Sequence, residues 1–317
     1  MRNESLRITT LGAGITAIDT DYVRPQLDAS HLIVDQGRAA FVDTGTNSSV
    51  PNLLQALAEA DIDRGDVDYV FLTHVHLDHA GGAGLLMQSL PNARAVLHPR
   101  GARHMASPEK LTLGAMAVYG EAAFREMYGE LVPIDAERLV VVDDGQRLNV
   151  GDREVLAFFT EGHARHHYCL HDPASDGVFT GDSFGISYRE LDTAVGAFIY
   201  PTTTPVQFDP PAAHAAVDRI AGFDPQYAYL THYSAVGEVA RLASDMHRRL
   251  DAFVDLAVTN ANASDRMNAI EDAMRRYLLS ELRAHGATES DETLIEVLRM
   301  DLKLNTMGLE HWLDNDA

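Results

Sequence analysis

The sequence predicts a mixed α/β body followed by a helical C-terminal segment, and three observations indicate this fold class. Over residues 1–235, short apolar runs rich in β-branched and aromatic residues alternate with turn residues and helical patterns. Six of the predicted strands end in a histidine or an aspartate. From residue 236 onward only helical periodicity remains. We therefore expect one α/β domain at 1–235 and a helical appendage at 236–317.

The individual elements follow from local patterns. Apolar runs bounded by Gly, Asp and Ser predict strands at 16–23, 31–36, 39–45, 67–74, 93–99, 138–144, 153–163, 167–172, 177–182 and 227–232. Helical spacing of apolar residues predicts helices at 51–60, 81–90, 99–129, 211–221, 236–258, 265–285 and 291–304. Pro51 suits the first turn of the first helix, whereas Gly114 and Gly120 weaken the pattern at 99–129.

The composition of the 317-residue chain is that of an ordinary globular protein, with 46% hydrophobic and 23% charged residues. This balance excludes disorder and low-complexity structure. No stretch approaches the roughly 20 apolar residues of a membrane span. The first ten residues contain no apolar h-region, so we expect no secretory signal and a cytoplasmic location.

The charge balance argues against polyanionic partners. Lysine and arginine number 25 against 47 acidic residues, a net charge of −22. Such a surface repels nucleic acid and anionic membranes, and we expect neither as a partner. The single cysteine, Cys169, cannot form an internal disulfide, which fits a reducing cytosol, and its place in a predicted strand indicates a core residue.

Ligand-type residues are concentrated in the segment HVHLDH at 74–79, directly after a predicted strand. The side chains of residues two apart in an extended chain point the same way, so His74 and His76 can bind one ion. Once the chain turns into a helix, Asp78 and His79 can face a second ion nearby. Nitrogen and oxygen ligands of this kind suit Zn, Fe or Mn better than a soft metal. The segment therefore predicts a metal centre.

Among the other predicted strands, three end suitably for a shared site, at His163, Asp182 and His232. Open α/β sheets build their sites at the carboxyl ends of strands, so we expect these side chains to join segment 74–79. The glycines Gly162 and Gly181 would let the backbone approach the metals closely.

This ordered pattern resembles the metallo-β-lactamase fold superfamily. An HxHxDH motif, a downstream His, an Asp in a Gly-Asp pair and a final Thr-His all match in order, and the resemblance covers residues 8–235. It implies an αββα sandwich with a two-metal site between the sheets. It also implies a first metal held by His74, His76 and His163, a second held by Asp78, His79 and His232, and a bridging Asp182.

We expect two divalent cations, and the sequence does not distinguish Zn, Fe and Mn. The two ions would share one water and lower its pKa toward neutrality. The resulting hydroxide would attack an electrophilic carbonyl or phosphorus, with Asp78 orienting the nucleophile and Asp182 offsetting cation repulsion. The complete ligand set favours a hydrolase of a small ester, thioester or lactone. The alternative is an iron-loaded redox or sensing protein of the same fold, including a persulfide dioxygenase-like one, with little hydrolase activity.

Residues around the ligands are expected to support the site. Asp43 resembles the buried aspartate that the family places behind the HxHxDH loop, and His167 lies four residues after His163, where many relatives also carry histidine. For His166 and His171 a site role and a surface or strand-end role are equally open. An apolar substrate pocket, with core packing as the alternative, would be walled by Phe184, Tyr188, Phe198 and Tyr200.

The layout also indicates a branch of the superfamily. Glyoxalase II-like and lactonase-like proteins share the motif. The spacing from His163 to Asp182 and the helical tail after His232 look like the quinolone-signal-response thioesterase type. In that type the tail helices cover the site and support dimerisation, so we expect a lid or a homodimer through the C-terminal helices. Activity on β-lactams is not expected, because the bridging position is aspartate and not cysteine.

Overall fold

The computed structural model describes residues 6–203 and 206–315. Over these residues the strands are β1 (Ile8–Gly12), β2 (Ile15–Asp19), β3 (Ala29–Asp35), β4 (Arg38–Val42), β5 (Val67–Phe71), β6 (Arg94–Leu97), β7 (Leu139–Val141), β8 (Arg147–Val150), β9 (Arg153–Phe159), β10 (Tyr168–Asp172), β11 (Gly177–Gly181), β12 (Tyr227–Leu230) and β13 (Ser234–Val236).

The α-helices of the same residues are α1 (Val50–Glu59), α2 (Leu77–Ala80), α3 (Ala83–Ser89), α4 (Pro99–Ala106), α5 (Glu109–Tyr119), α6 (Glu121–Tyr128), α7 (Pro210–Ala221), α8 (Val239–Asn260), α9 (Arg266–Ala284) and α10 (Asp291–Asn315). No helix in the described ranges combines the length and the apolar character that a membrane span requires.

The strands form two mixed sheets. The first sheet contains seven strands in the order β1-β2-β3-β4-β5-β6-β7, antiparallel up to β4 and parallel from β4 to β7. The second sheet contains six strands in the order β13-β12-β11-β10-β9-β8, and only β11 and β12 are parallel neighbours. Each sheet thus contains parallel neighbouring strands, and the carboxyl ends of parallel neighbours lie at the same edge of their sheet.

The two sheets pack face to face through apolar side chains. Ile33 and Phe71 of the first sheet share one buried cluster with Val155, Phe179 and Tyr229 of the second sheet. Helices α1, α3 and α4 cover the outer face of the first sheet, and helices α7 to α10 cover that of the second. The predicted αββα sandwich with C-terminal helices is therefore confirmed.

Several element boundaries differ from the sequence prediction. Strand β1 was not expected, because it has no buried face to give it an apolar alternation. The stretch 99–129 forms three helices: Pro108 precedes α5, and Gly120 separates α5 from α6 with φ +82. Helix α10 continues to Asn315, well past residue 304. Strand β13 spans the expected boundary at residue 235, and the division into 1–235 and 236–317 stays a prediction.

Helix α10 is anchored to the sandwich by a buried asparagine. The Asn305 side chain accepts a hydrogen bond from the Thr203 N–H (2.6 Å) and donates one to the Pro201 carbonyl (3.2 Å). One turn further, Gly308 lets the helix approach closely, since a Cβ there would lie 1.9 Å from the Thr203 carbonyl oxygen. The helix therefore fixes the loop at 201–203, which lies beside the site described below.

We expect Asn305→Ala to lower the free energy of unfolding by about 1–3 kcal/mol, because the buried Thr203 N–H loses its partner. Urea denaturation measures the change. The control is Asn315→Ala at the exposed end of the same helix, with an expected loss below about 0.5 kcal/mol. An equal loss in the two variants would contradict this anchoring role.

A second expectation concerns acid stability. Burial lowers the pKa of His31 to about 4, and its Nε2 has no hydrogen-bond partner among the described residues. The unfolded chain binds this proton near pH 6.5, so the folded state loses stability as the pH falls from about 6.5 to about 4. For one group this amounts to roughly 3 kcal/mol, at about 1.4 kcal/mol per pH unit.

Between pH 7 and pH 4.5, we expect the free energy of unfolding to fall by about 2–3 kcal/mol less in His31→Phe than in the wild type. Urea denaturation at both pH values measures the difference. The matched control is His311→Gln on α10, which should retain the wild-type slope. Parallel pH profiles for His31→Phe and the wild type would refute the prediction.

Candidate metal centre

The predicted ligands converge at one edge of the sandwich, where strands of both sheets end. His74 and the rest of segment 74–79 follow β5, and the segment turns into the short helix α2 at Leu77. From the second sheet, His163 follows β9, Asp182 directly follows β11, and His232 follows β12. The convergence follows from the topology, because the carboxyl ends of parallel neighbours lie at the same edge.

The first group of ligand atoms comes from three imidazoles. His76 Nδ1 lies 2.8 Å from His74 Nε2 and 2.9 Å from His163 Nε2. The His163 Nδ1–H donates to the Thr202 carbonyl (3.4 Å), which leaves His163 Nε2 free to bind a metal. Three nitrogen lone pairs thus point at one place, where a cation would be stabilised by all of them.

The second group contains Asp78, His79 and His232, with Asp182 between the two groups. The Asp78 Oδ2 atom lies 3.8 Å from His79 Nε2 and 3.7 Å from His232 Nε2. One Asp182 oxygen lies 3.2 Å from His79 Nε2, and the other lies 3.3 Å from His163 Nε2. The structure thus brings together the seven side chains that the resemblance names as ligands, and their division between two ions stays a prediction.

The donor set fits divalent cations. His79 Nε2 and Asp182 Oδ1 are buried, and neither has a hydrogen-bond partner of good geometry among the described residues. Unpaired buried polar atoms are costly, so an ion bound here would remove that cost. Nitrogen and carboxylate oxygen donors accept Zn, Fe and Mn alike.

The buried charges are arranged around the same centre. Burial would raise the pKa of Asp182, but the imidazoles of His79, His232 and His163 hold it well below its usual range. Burial opposes protonation of His79, yet Asp182 and other nearby carboxylates raise its pKa well above the usual value. Burial and neighbouring histidines lower the pKa of His74 well below its usual range. The carboxylates thus attract positive charge, which metal ions can supply.

Asp43 supports the site from behind the HxHxDH loop. Its buried carboxylate accepts hydrogen bonds from His79 Nδ1 (2.8 Å), Thr73 N–H (2.9 Å), Thr73 Oγ1 (2.8 Å) and Thr231 Oγ1 (2.9 Å). The proton is therefore held on His79 Nδ1, and Nε2 is left for the metal. The position needs a residue that tolerates a left-handed backbone, since Asp43 has φ +58.

His167 supports the site through the backbone of Asp182. The Asp182 N–H donates to His167 Nε2 (3.2 Å), so the ring proton is on Nδ1, which lies 2.9 Å from Thr160 Oγ1 and 3.0 Å from Ser183 Oγ. The His167 ring also stacks on the ligand imidazole of His74, with the centroids 4.9 Å apart. Gly181 permits this packing, because a Cβ there would lie 2.6 Å from His167 Nε2.

The sequence prediction missed Asp28. Its fully buried carboxylate lies 2.6 Å from His232 Nδ1, and the Leu27 carbonyl lies 3.2 Å from the same nitrogen. Burial opposes the charge of His232, but the Asp28 carboxylate raises the pKa of this imidazole to about 10. Asp28 therefore holds the proton on Nδ1 and directs Nε2 to the metal centre. In the sequence it is an Asp before an apolar strand, which is a common position for a turn residue.

Cys169 and the remaining histidines of this region have other surroundings. Cys169 is fully buried, and burial raises the pKa of its thiol to about 12, so it is no thiolate nucleophile at neutral pH. His166 lies beside the site, with its ring centroid 5.6 Å from that of His76. His171 stacks on Phe223 (4.2 Å) on the second sheet.

A cavity of about 460 Å³, called the inner cavity below, opens onto the metal centre. His76, Asp78, Asp182 and His232 lie in its wall, and α5, α6 and α10 contribute apolar residues to the rest. Helix α10 thus covers part of the site.

The four aromatic residues expected to wall a pocket lie in the buried core and do not line the inner cavity. Tyr200 Oη and Tyr188 Oη instead contact the carboxylate of Asp301 (3.1 and 3.4 Å), and Asp301 lines the cavity. Phe198 lies under the guanidinium of Arg249, and Phe184 packs in the same core. These rings face the C-terminal helices, whose packing could not be read from the spacing of aromatic residues.

An αββα sandwich that carries a triad of three histidines beside a triad of one aspartate and two histidines at its strand ends defines a class of metal-binding proteins. The chain belongs to the metallo-beta-lactamase superfamily, whose family model matches residues 26–232.

Individual relatives show the same fold. The metallo-beta-lactamase fold-containing protein ST1585 of Sulfurisphaera tokodaii is 26% identical over 186 residues, which are 57% of this chain and 64% of that protein. Its crystal structure has a TM-score of 0.66 at 21% identity and covers 93% of this chain and 98% of that one. The family protein TTHA1429 from Thermus thermophilus has a TM-score of 0.67 at 20% identity, with 97% and 95% covered.

A relative with a named activity is also found. The hydroxyacylglutathione hydrolase of Maricaulis maris is 30% identical over 149 residues, which are 47% of this chain and 44% of that protein. The chain therefore spans less than two thirds of the length of the curated relatives it matches in sequence.

We expect Asp28→Asn to weaken metal binding by about tenfold, because the amide lacks the negative charge that stabilises the His232 Nδ1 proton and makes the ring a stronger ligand. Competition with a chromogenic chelator measures the affinity. The control is Asp21→Asn, an exposed aspartate in an ion pair with Arg7. Wild-type affinity in Asp28→Asn would show that Asp28 does not support the metal centre.

Proposed function

We propose that the protein is a dinuclear metal-dependent hydrolase of ester, thioester or lactone bonds in small molecules. The observation that carries this proposal is the pair of ligand triads, linked by Asp182, at the base of a cavity of about 460 Å³. The size and the largely apolar wall of the cavity are typical of a small-molecule site.

The ligand residues also have roles toward the substrate. Two divalent cations bound here would supply Lewis acidity and lower the pKa of a coordinated water. Asp78 is the most exposed of the ligand carboxylates, at 24% against 5% for Asp182. Its oxygen faces the cavity, so it can accept a hydrogen bond from water and orient it. The Asp182 N–H donates to His167 Nε2, and the two carboxylate oxygens of Asp182 lie near His79 and His163, one beside each triad.

The hydroxyacylglutathione hydrolase of Maricaulis maris supports hydrolysis as the reaction class. The composition of the site supports it as well, because the cysteine of the chain lies in the core and is not needed as a nucleophile. A homodimer through α8–α10 stays a prediction.

The test is a panel of thioesters, lactones, carboxylic esters and phosphodiesters, assayed with enzyme reconstituted separately with Zn, Mn and Fe(II). Hydrolysis of an ester-type substrate, together with about two metal ions per chain by elemental analysis, is the expected result. Two irons per chain with a visible absorption band and no hydrolysis would contradict the proposal and favour the redox or sensing alternative.

We expect Asp182→Asn to reduce kcat by at least about 100-fold and to lower the bound metal, because the bridging carboxylate loses its charge. Steady-state kinetics and elemental analysis measure both effects. Cys169→Ser is the control, with turnover expected within a few-fold of the wild type. Wild-type turnover in Asp182→Asn would refute the site, and a large loss in correctly folded Cys169→Ser would refute the passive role of the thiol.

A further inference from the structure

A second depression meets the inner cavity beside the metal centre. This outer groove has a volume of about 780 Å³ and is formed by the start of α4, the loop at 161–166 and the segment before α7. His104, His166 and Gln207 line both the inner cavity and the outer groove. The two spaces are therefore continuous, and the metal centre lies near their junction.

The inner cavity is suited to an apolar group. Its wall away from the metals contains Leu111, Ala115, Val118, Met127, Met300 and Leu304. These side chains come from α5, α6 and α10, so they enclose the space from two sides. Burying an apolar chain against them is favourable by about 25 cal/mol per Å² of apolar surface removed from water.

The outer groove has a different chemistry. Arg100, Arg103 and Arg165 line it, although the whole chain carries a net charge of −22. Arg100 donates to Glu161 Oε1 (3.0 Å) and to the Arg165 carbonyl (3.3 Å), which ties α4 to the loop at 161–166. The Arg165 N–H donates to Gln207 Oε1 (2.8 Å). The groove walls are thus fixed to one another by hydrogen bonds.

Two of the three arginines carry a positive charge that no carboxylate of the described residues pairs with. Within residues 6–203 and 206–315, neither Arg103 nor Arg165 forms an ion pair with a carboxylate. The acidic residues of the groove are Glu161, which pairs with Arg100, and Asp209, which caps α7 by accepting from the Ala212 N–H. Exposed guanidinium groups of this kind bind phosphate or carboxylate oxygens in a bidentate manner.

We propose that the substrate is a thioester that joins an apolar acyl group to an anionic thiol carrier. This inference rests on the proposed function. The acyl group occupies the inner cavity, the phosphates or carboxylates of the carrier contact Arg103 and Arg165 in the outer groove, and the thioester carbon lies at the junction. Water adds to that carbon, the C–S bond breaks with its electron pair on sulfur, and a carboxylate, a thiol and one proton are released.

The test compares three thioesters of the same medium-chain acid: the coenzyme A thioester, which carries phosphates, the glutathione thioester, which carries carboxylates, and the uncharged N-acetylcysteamine thioester. For the wild type we expect kcat/KM to be highest for an anionic thioester. That preference should shrink as ionic strength rises from about 0.01 to 1 M, because salt screens the arginines. The more active of the two anionic thioesters identifies the anion that the groove binds.

We expect Arg103→Ala/Arg165→Ala to lower the ratio of kcat/KM for the anionic over the uncharged thioester by about tenfold, through KM. Arg103→Lys/Arg165→Lys keeps the charge and should retain most of the ratio. The control for net charge is Arg147→Ala/Arg275→Ala, two exposed arginines on β8 and α9 that lie outside the groove.

The outcomes separate this inference from the proposed function. If the metal-loaded wild type hydrolyses thioesters and the ratio is unchanged in Arg103→Ala/Arg165→Ala, or falls equally in the control, the inference is refuted and the hydrolase remains. If the wild type hydrolyses esters or lactones but no thioester, the substrate class is refuted. If it hydrolyses none of the substrates, both proposals fail.

Discussion

The buried carboxylate of Asp43 is the interaction on which the site depends most. It lies at the end of β4 and binds Thr73 at the end of β5, His79 on α2 and Thr231 at the end of β12. A single side chain thus joins both sheets and fixes the orientation of a metal-ligand imidazole. Because it is shielded from water and fully hydrogen-bonded, the network is rigid, and the ligands do not need to be ordered when a metal binds.

The C-terminal helices also support the site. Asn305 on α10 holds the loop at 201–203. The Thr202 carbonyl in that loop accepts a hydrogen bond from the Nδ1–H of His163. Asp301, one turn earlier on the helix, contacts Tyr188 and Tyr200 and lines the inner cavity. A segment that looks like an appendage in the sequence therefore supports a metal ligand and encloses the space above it.

The charge around the site differs from the net negative charge of the whole chain. The chain as a whole is strongly acidic, yet its site gathers imidazoles around Asp182 and Asp78, and the neighbouring groove carries two arginines, Arg103 and Arg165, that form no ion pair with a carboxylate of the described residues. Negative charge over the remaining surface is expected to repel polyanions. The proposed substrate, an anion with an apolar extension, would bind at the edge where the arginines and the apolar cavity adjoin.

From local patterns the sequence predicted an α/β body, most strand positions and the ligand candidates, and it implied the αββα sandwich through its resemblance to the family. It also pointed to Asp43, through resemblance to the family. Asp28 and the role of His167 could not be predicted, since each depends on a contact between segments far apart in the chain. That Tyr188 and Tyr200 contact Asp301 and do not line the cavity could be seen only in the folded chain, because the packing of α10 against the segment between β11 and α7 sets which ring is covered and which surface stays open.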